Sequence, residues 1–152
     1  MKKLTVLFFL ICTLGIFNSY AQQGYKAAYI AGGITYEKGG NGIIGIDFPS
    51  NSYHSFVIEA QYFQSNKEKN FLGGIGYKYC FNKSVNSMFR GKIAGMVGTT
   101  SHQTIFAPVG GFEYIYALSP VVDLMFMTDA GYYFNSEQRW RVNTFLGLRF
   151  NF

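Results

Sequence analysis

Residues 140–152 read WRVNTFLGLRFNF, and their polarity alternates from one residue to the next. One parity is mostly apolar and aromatic: Trp140, Val142, Thr144, Leu146, Leu148, Phe150 and Phe152. The other parity is mostly polar or small: Arg141, Asn143, Phe145, Gly147, Arg149 and Asn151. Successive side chains of a β-strand point to opposite faces. The segment is therefore predicted to be a strand with one apolar face.

The same alternation continues towards the amino terminus, interrupted by groups of Gly, Pro, Asn and Ser that are typical of turns. The predicted strands are 25–36, 42–48, 53–64, 71–81, 88–98, 104–116, 121–134 and 140–152. The 152-residue chain is rich in Phe (16), Tyr (12) and Gly (18), which favours an all-β fold. Most of the segments approach or exceed the roughly 9–11 residues that a tilted membrane strand needs.

The first 21 residues are predicted to be a signal peptide. Lys2 and Lys3 precede the apolar stretch 4–17, and small residues at Ser19 and Ala21 match a signal-peptidase site. An uncleaved anchor is the alternative, but about 14 apolar residues are short for a membrane-spanning helix. We expect cleavage after Ala21 and a single barrel domain over 22–152.

Charged residues of the predicted strands fall on the polar face, apart from Lys26 at the start of the first strand. These residues are Asp47, Glu59, Lys78, Arg90, Lys92, Glu113, Asp123, Asp129, Arg141 and Arg149. Other charged residues, Glu68 among them, are assigned to turns. We predict that the ten residues form a charge network inside a closed barrel, where buried charges need partners. The network would serve as a polar channel or proton path, or as a plug of salt bridges; an eight-stranded barrel is narrow, which favours the plug.

Alternation alone does not decide which face points outward, because a soluble barrel or a β-sandwich shows the same period. The number of aromatic rings does decide it. An eight-stranded barrel has an interior just wide enough for side chains, and the apolar face carries too many Phe and Tyr residues to fit there. The sequence therefore predicts an eight-stranded antiparallel transmembrane β-barrel of the outer-membrane type, with outer-membrane lipids around it.

The carboxyl terminus supports a bacterial outer-membrane location. Leu146, Leu148, Phe150 and Phe152 occupy alternate positions and end on an aromatic residue. This ending resembles the C-terminal signal that the barrel-assembly machinery recognises in outer-membrane barrels. The resemblance implies that this machinery is a partner during biogenesis.

Candidate catalytic and metal-binding residues are few. Some eight-stranded outer-membrane barrels are enzymes with a His and a Ser near the rim, and here His54-Ser55 and His102-x-Thr104 are the only comparable pairs. His54 and Ser55 belong to opposite faces, and no carboxylate is evident beside either histidine to orient it. Cys80 is the one cysteine after the predicted cleavage site, and the two histidines offer no zinc-site spacing. We predict a protein without enzymatic activity, metal or other cofactor.

From Tyr62 onward the chain resembles the TraO family of Bacteroides-type conjugative elements. The matching stretches are FLGGIGYKYCF (71–81), RGKIAGMVG (90–98), GGFEYIYALSP (110–120) and RVNTFLGLRFNF (141–152). The resemblance implies a structural outer-membrane component of a conjugative DNA-transfer apparatus, with other transfer proteins as partners. No basic stripe follows a phosphate backbone, so direct nucleic-acid contact is not predicted. The alternative is a free-standing small barrel of the OmpA or OmpX kind, acting as a membrane stabiliser or surface-binding module.

Overall fold

The computed structural model describes residues 26–36, 39–50, 54–66, 68–100 and 103–152. It contains eight strands: β1 (Ala27–Thr35), β2 (Gly39–Pro49), β3 (Ser55–Gln64), β4 (Lys69–Lys83), β5 (Ser87–Thr99), β6 (Thr104–Ala117), β7 (Val122–Tyr132) and β8 (Trp140–Asn151). Each strand pairs with its neighbours in antiparallel orientation, and β1 pairs with β8 to close a barrel. The predicted all-β, eight-stranded antiparallel barrel is confirmed. The predicted signal peptide lies outside the described residues.

Four strands, β2, β4, β5 and β6, extend further than the sequence predicts, β6 by one residue. Gly39 and Gly40 have turn composition, but Gly39 is opposite Thr35 in β1 and Gly40 is opposite Gln64 in β3. β4 likewise begins at Lys69 and ends at Lys83, and β5 extends by one residue at each end. Pairing with a neighbouring strand extends these strands into segments whose composition alone favours a turn.

A β-bulge interrupts the pairing of β4 with β5 between Cys80 and Asn82. The extra residue is Phe81, and its ring lies over Gly91 of the neighbouring strand. A Cβ atom added at Gly91 would come 2.6 Å from Cε2 of Phe81. The bulge therefore directs an aromatic ring across the outer wall, and a glycine provides the space for it.

The backbones of β1 and β8 also approach each other closely where these two strands pair. Ala31 is opposite Gly147, and a Cβ atom added at Gly147 would lie 2.2 Å from the carbonyl oxygen of Ile30. Beyond the strands, the backbone N–H of Phe152 donates to the carbonyl oxygen of Lys26 at 2.9 Å. Lys26 and Phe152 therefore lie at the same end of the barrel, which we call the terminal end. At the opposite end, which we call the loop end, β1 leads to β2, β3 to β4, β5 to β6 and β7 to β8.

The apolar face of every strand points outward, as the number of aromatic rings on that face predicts. Outward residues in the middle of the wall, such as Ile44 and Ile93, are more than half exposed. Inward residues fill the barrel, and two apolar groups lie between its charged residues. One group includes Ile43, Met125 and Phe145. The other is Leu72, Met96, Ile105, Ala107, Val109 and Tyr133. In the part of the chain that the structure covers, no helix is long and apolar enough to cross a membrane.

Candidate functional site

The ten charged residues predicted for the interior are all buried there, and the structure separates them into three groups. The terminal cluster consists of Asp47, Lys78, Arg90, Glu113, Asp123 and Arg149. The central cluster consists of Glu59, Lys92 and Asp129. The loop-end cluster contains Arg141 and one residue outside the predicted set, Glu68. Alternation brings these residues inside, and their positions along the strands decide the grouping.

Asp47 and Glu113 are the shared acceptors of the terminal cluster. The Lys78 ammonium lies 3.0 Å from Asp47 Oδ1 and 3.2 Å from Glu113 Oε2. Nη2 of Arg90 lies 2.7 Å from Asp47 Oδ2 and 2.8 Å from Glu113 Oε2. Lys78 and Arg90 therefore each bridge both carboxylates. Such mutual pairing is what allows charges to be removed from water.

Arg149 extends the terminal cluster across the β1–β8 side of the barrel. Its Nε donates to Asp47 Oδ2 at 3.3 Å, and its Nη1 donates to Asp123 Oδ2 at 2.7 Å. Asn151 donates to the same Asp123 oxygen at 3.0 Å. Three acids and three bases thus balance within this cluster. The terminal end of the interior is crossed by side chains from β2, β4, β5, β6, β7 and β8.

Lys92 is the one cation of the central cluster. Its Nζ lies 2.9 Å from Glu59 Oε1 and 3.2 Å from Asp129 Oδ2. The second oxygen of each carboxylate accepts from a neutral group: Glu59 from the Tyr29 hydroxyl at 2.7 Å, and Asp129 from the Asn143 amide at 2.8 Å. Two carboxylates are therefore held around one ammonium group, and neutral donors complete their hydrogen bonding.

Tyr29 links the central and terminal clusters. While its hydroxyl donates to Glu59, the Lys78 ammonium lies 4.2 Å from the centre of its ring. On the other side of the central cluster, Asn143, which donates to Asp129, accepts through its Oδ1 from Thr35 at 2.7 Å and from Asn41 at 2.9 Å. Polar contacts therefore run along much of the barrel, with apolar side chains packed between them.

Arg141 forms the centre of the loop-end cluster. Its guanidinium carbon lies 4.0 Å from the ring centre of Phe63 and 4.2 Å from that of Tyr133, and its nitrogens donate to Glu68 and Ser136. Burial raises the pKa of the Tyr133 phenol to about 12, which keeps this group neutral. A planar cation between two rings suits arginine better than lysine.

Glu68 lies at a turn, as the sequence predicts, but its ion pair with Arg141 was not predicted. The residue does lie between β3 and β4, but its carboxylate accepts from Ser136 Oγ at 2.7 Å and from the backbone N–H of Glu137 at 2.9 Å. It therefore ties the connection 133–139 to the neighbouring loop. Composition gave no signal for this role, because the residue lies just outside the alternating strand.

His54 and Ser55, the pair considered as a catalytic candidate, lie on opposite faces of the wall. Ser55 points inward, where its hydroxyl accepts from Arg90 Nη1 at 3.2 Å. The His54 ring stacks on Tyr79 with centroids 4.4 Å apart, and its Nδ1 accepts from the backbone N–H of Cys80. His102, the other histidine considered, lies outside the described residues.

The residues of the predicted assembly signal share the outer face at the carboxyl end of the chain. Leu146, Leu148 and Phe150 point outward from β8, and Phe152 follows the strand with its ring 65% exposed. The four side chains therefore present a continuous apolar ladder next to β1.

No protein-family model and no curated protein matches the sequence. Several solved structures share the fold. The N-terminal barrel domain of Pseudomonas aeruginosa OprF aligns with a TM-score of 0.66 and 14% identity, covering 86% of this chain and 98% of that one. A designed transmembrane β-barrel gives 0.64 and 15%, covering 86% and 97%. The outer-membrane enzyme PagL gives 0.53 and 12%, covering 81% and 97%.

These similarities establish the fold of small outer-membrane barrels and nothing narrower. The same wall serves a designed protein and an enzyme, so the fold does not imply a function. The function of this chain therefore depends on its own residues. The resemblance to the TraO family stays a prediction.

Proposed function

We propose that this chain is a non-enzymatic structural component of a bacterial outer membrane, exported through its signal peptide. The observation that carries the proposal is the combination of an apolar outer wall with an interior closed by three ion-paired clusters. Such a barrel fits a lipid bilayer outside and leaves little room for transport inside. The terminal end would face the periplasm, because the longest connection, 133–139, belongs to the loop end.

Within this role, we propose that the barrel is part of a conjugative DNA-transfer apparatus. Support comes from the four stretches between residues 71 and 152 that resemble the TraO family. Since side chains fill the barrel, a DNA strand would pass through other subunits and not through this one. The outer wall and the rims are left as the contact surfaces for other transfer proteins.

Deleting the gene from a donor strain tests the conjugation role. We expect mating frequency to fall to background and to recover when the intact chain is supplied in trans. The same deletion in the recipient should have no effect, because the apparatus is assembled in the donor. Normal transfer from the deleted donor would contradict the role and leave the free-standing barrel as the better account.

That alternative, a free-standing barrel of the OmpA or OmpX kind, has its own support. The fold is shared with outer-membrane barrels, and the wall and interior need no partner to be complete. The connections at the loop end are short and offer little area for contact, which argues against a surface-binding role. Cell-envelope integrity in the deletion strain separates the alternatives, since a membrane stabiliser should matter without any recipient present.

Phe152 is proposed to act in assembly more than in stability. Its ring is exposed on the outer face, so removing it should cost the folded barrel little. We expect deletion of Phe152 to reduce the amount of folded, heat-modifiable protein in cells while leaving refolding of purified chain into detergent unchanged. Phe126→Leu serves as a control, because Phe126 is an outward-facing ring of β7 that is not part of the proposed signal. Unchanged folding in cells without Phe152 would contradict the signal.

A further inference from the structure

Two grooves lie side by side on the outer wall. The first, about 610 Å³, passes over Gly91, Gly110 and Ala130 between the ring of Phe81 and the side chain of Val142. The second, about 570 Å³, lies on the β2–β5 side of the wall. Its lining includes Phe48, Phe56, Ile58, Ile75 and Gly95. Both volumes fall within the roughly 300–1,000 Å³ that is usual for small-molecule sites, and both linings are almost entirely apolar.

A single pair of side chains separates the grooves. Tyr77 of β4 and Ile93 of β5 are opposite each other in the sheet, and both border both grooves. The grooves are therefore one ridge apart, like two neighbouring chains in a lipid layer. Glycines, which have no side chain, form part of the groove floors. An added Cβ atom at Gly95 would meet nothing within 4 Å, and one at Gly110 would meet only the Lys92 carbonyl oxygen at 3.8 Å.

We propose that the two grooves hold the two acyl chains of one diacyl phospholipid, with the Tyr77–Ile93 ridge between them. The inference rests on the proposed membrane location but not on the conjugation role. Bulk lipid is as apolar as the wall, so a preference must come from shape. A chain in a groove contacts protein on several sides at once, and these small dispersion gains add up. The convex wall of a second barrel would bridge the grooves without entering them.

The position of the aromatic side chains favours a lipid of the periplasmic leaflet. Phe48, Phe56 and Phe81 border the grooves on the side of the terminal end, where β2 leads to β3 and β4 leads to β5. Aromatic residues of outer-membrane barrels gather at the level of the headgroups. The acyl chains would therefore enter from this end and run towards the middle of the wall. Phe81 owes its place over Gly91 to the bulge in β4.

Filling the grooves tests the proposal. The variant Gly95→Leu/Gly110→Leu places a side chain on each groove floor, at positions with space for it. The matched control Gly32→Leu/Gly40→Leu adds the same atoms to the outer wall of β1 and β2, where an added Cβ atom again meets nothing within 4 Å. Each protein is purified from outer membranes in mild detergent, and bound dipalmitoyl-phosphatidylethanolamine is titrated by native mass spectrometry.

We expect the unmodified barrel and the control to bind one phospholipid with equal affinity, and the filled variant to bind about tenfold more weakly, which corresponds to about 1.4 kcal/mol. A single-chain lysophospholipid should bind the unmodified barrel more weakly than the diacyl lipid. Equal lipid binding by all three proteins would overturn the proposal, as would a dimer that only the filled variant loses. Absence of the unmodified chain from the outer membrane would instead overturn the location on which the proposal rests.

Discussion

Replacing Lys92 by Met should destabilise the barrel by about 3–5 kcal/mol, the usual cost of removing one partner from a buried ion pair. Lys92 is the only cation within contact distance of Glu59 and Asp129 among the residues that the structure describes. Without its ammonium group, two carboxylates would face each other in a closed interior. Met preserves most of the side-chain volume, so the lost stability would reflect charge and not packing.

A neutral central cluster is the matched control for this substitution. The triple variant Lys92→Met/Glu59→Gln/Asp129→Asn keeps the shapes but removes all three charges, and it should recover most of the lost stability. The free energy of unfolding can be measured in lipid vesicles by urea titration, using the fluorescence of Trp140, the chain's single tryptophan. If Lys92→Met alone left the free energy of unfolding unchanged, water would reach the central cluster, and the interior would then not be sealed.

An arginine at Ile44 is expected to cost about 2–4 kcal/mol, the penalty for a cation on the lipid face near the bilayer midplane. Ile44 lies in the middle of β2, points outward and is 54% exposed in the isolated barrel. In water such a position would accept a charge at almost no cost. The substitution therefore measures what surrounds the wall.

A second outward-facing position, at a different depth in the membrane, provides the control for Ile44→Arg. Ile34 also points outward, but it lies next to the end of β1, at the level of the interface, where an arginine should cost only about 0–1 kcal/mol. Unfolding of Ile44→Arg and Ile34→Arg in the same vesicles gives the comparison. Equal and small effects at the two depths would show that the outer wall does not face hydrocarbon.

Side-chain alternation explains why so much of the barrel could be predicted from the sequence. In residues 140–152 the two faces differ in most pairs of neighbours, and a one-residue error would bring Arg141 and Arg149 into contact with lipid. The same constraint excludes register shifts by an odd number of residues between neighbouring strands, but it does not fix the register. Composition was less reliable at the strand ends, where the pairing of Gly39 with β1, and of Gly40 with both β1 and β3, outweighs their preference for turns.

Two features of the interior lay beyond this pattern. Glu68 reaches Arg141 from a loop, and loop positions have no period from which a direction could be predicted. The division of the charges into three clusters depends on the stagger between strands, which a single sequence does not specify. The bulge at Phe81 belongs to the same class, since the extra residue becomes visible only when β4 is aligned with β5.

The closure of β8 on β1 also has a consequence for the order of folding. Seven of the eight strand pairs join neighbours in sequence, whereas the β1–β8 pair joins Ala27 to Asn151 and Thr35 to Asn143. Until the last strand is in place, the sheet has two open edges that would pair with other chains. Long-range pairing of this kind is the slow step of β-sheet formation. The incomplete chain would therefore require protection by a chaperone, and the hydrogen bond from Phe152 to Lys26 would be among the last to form.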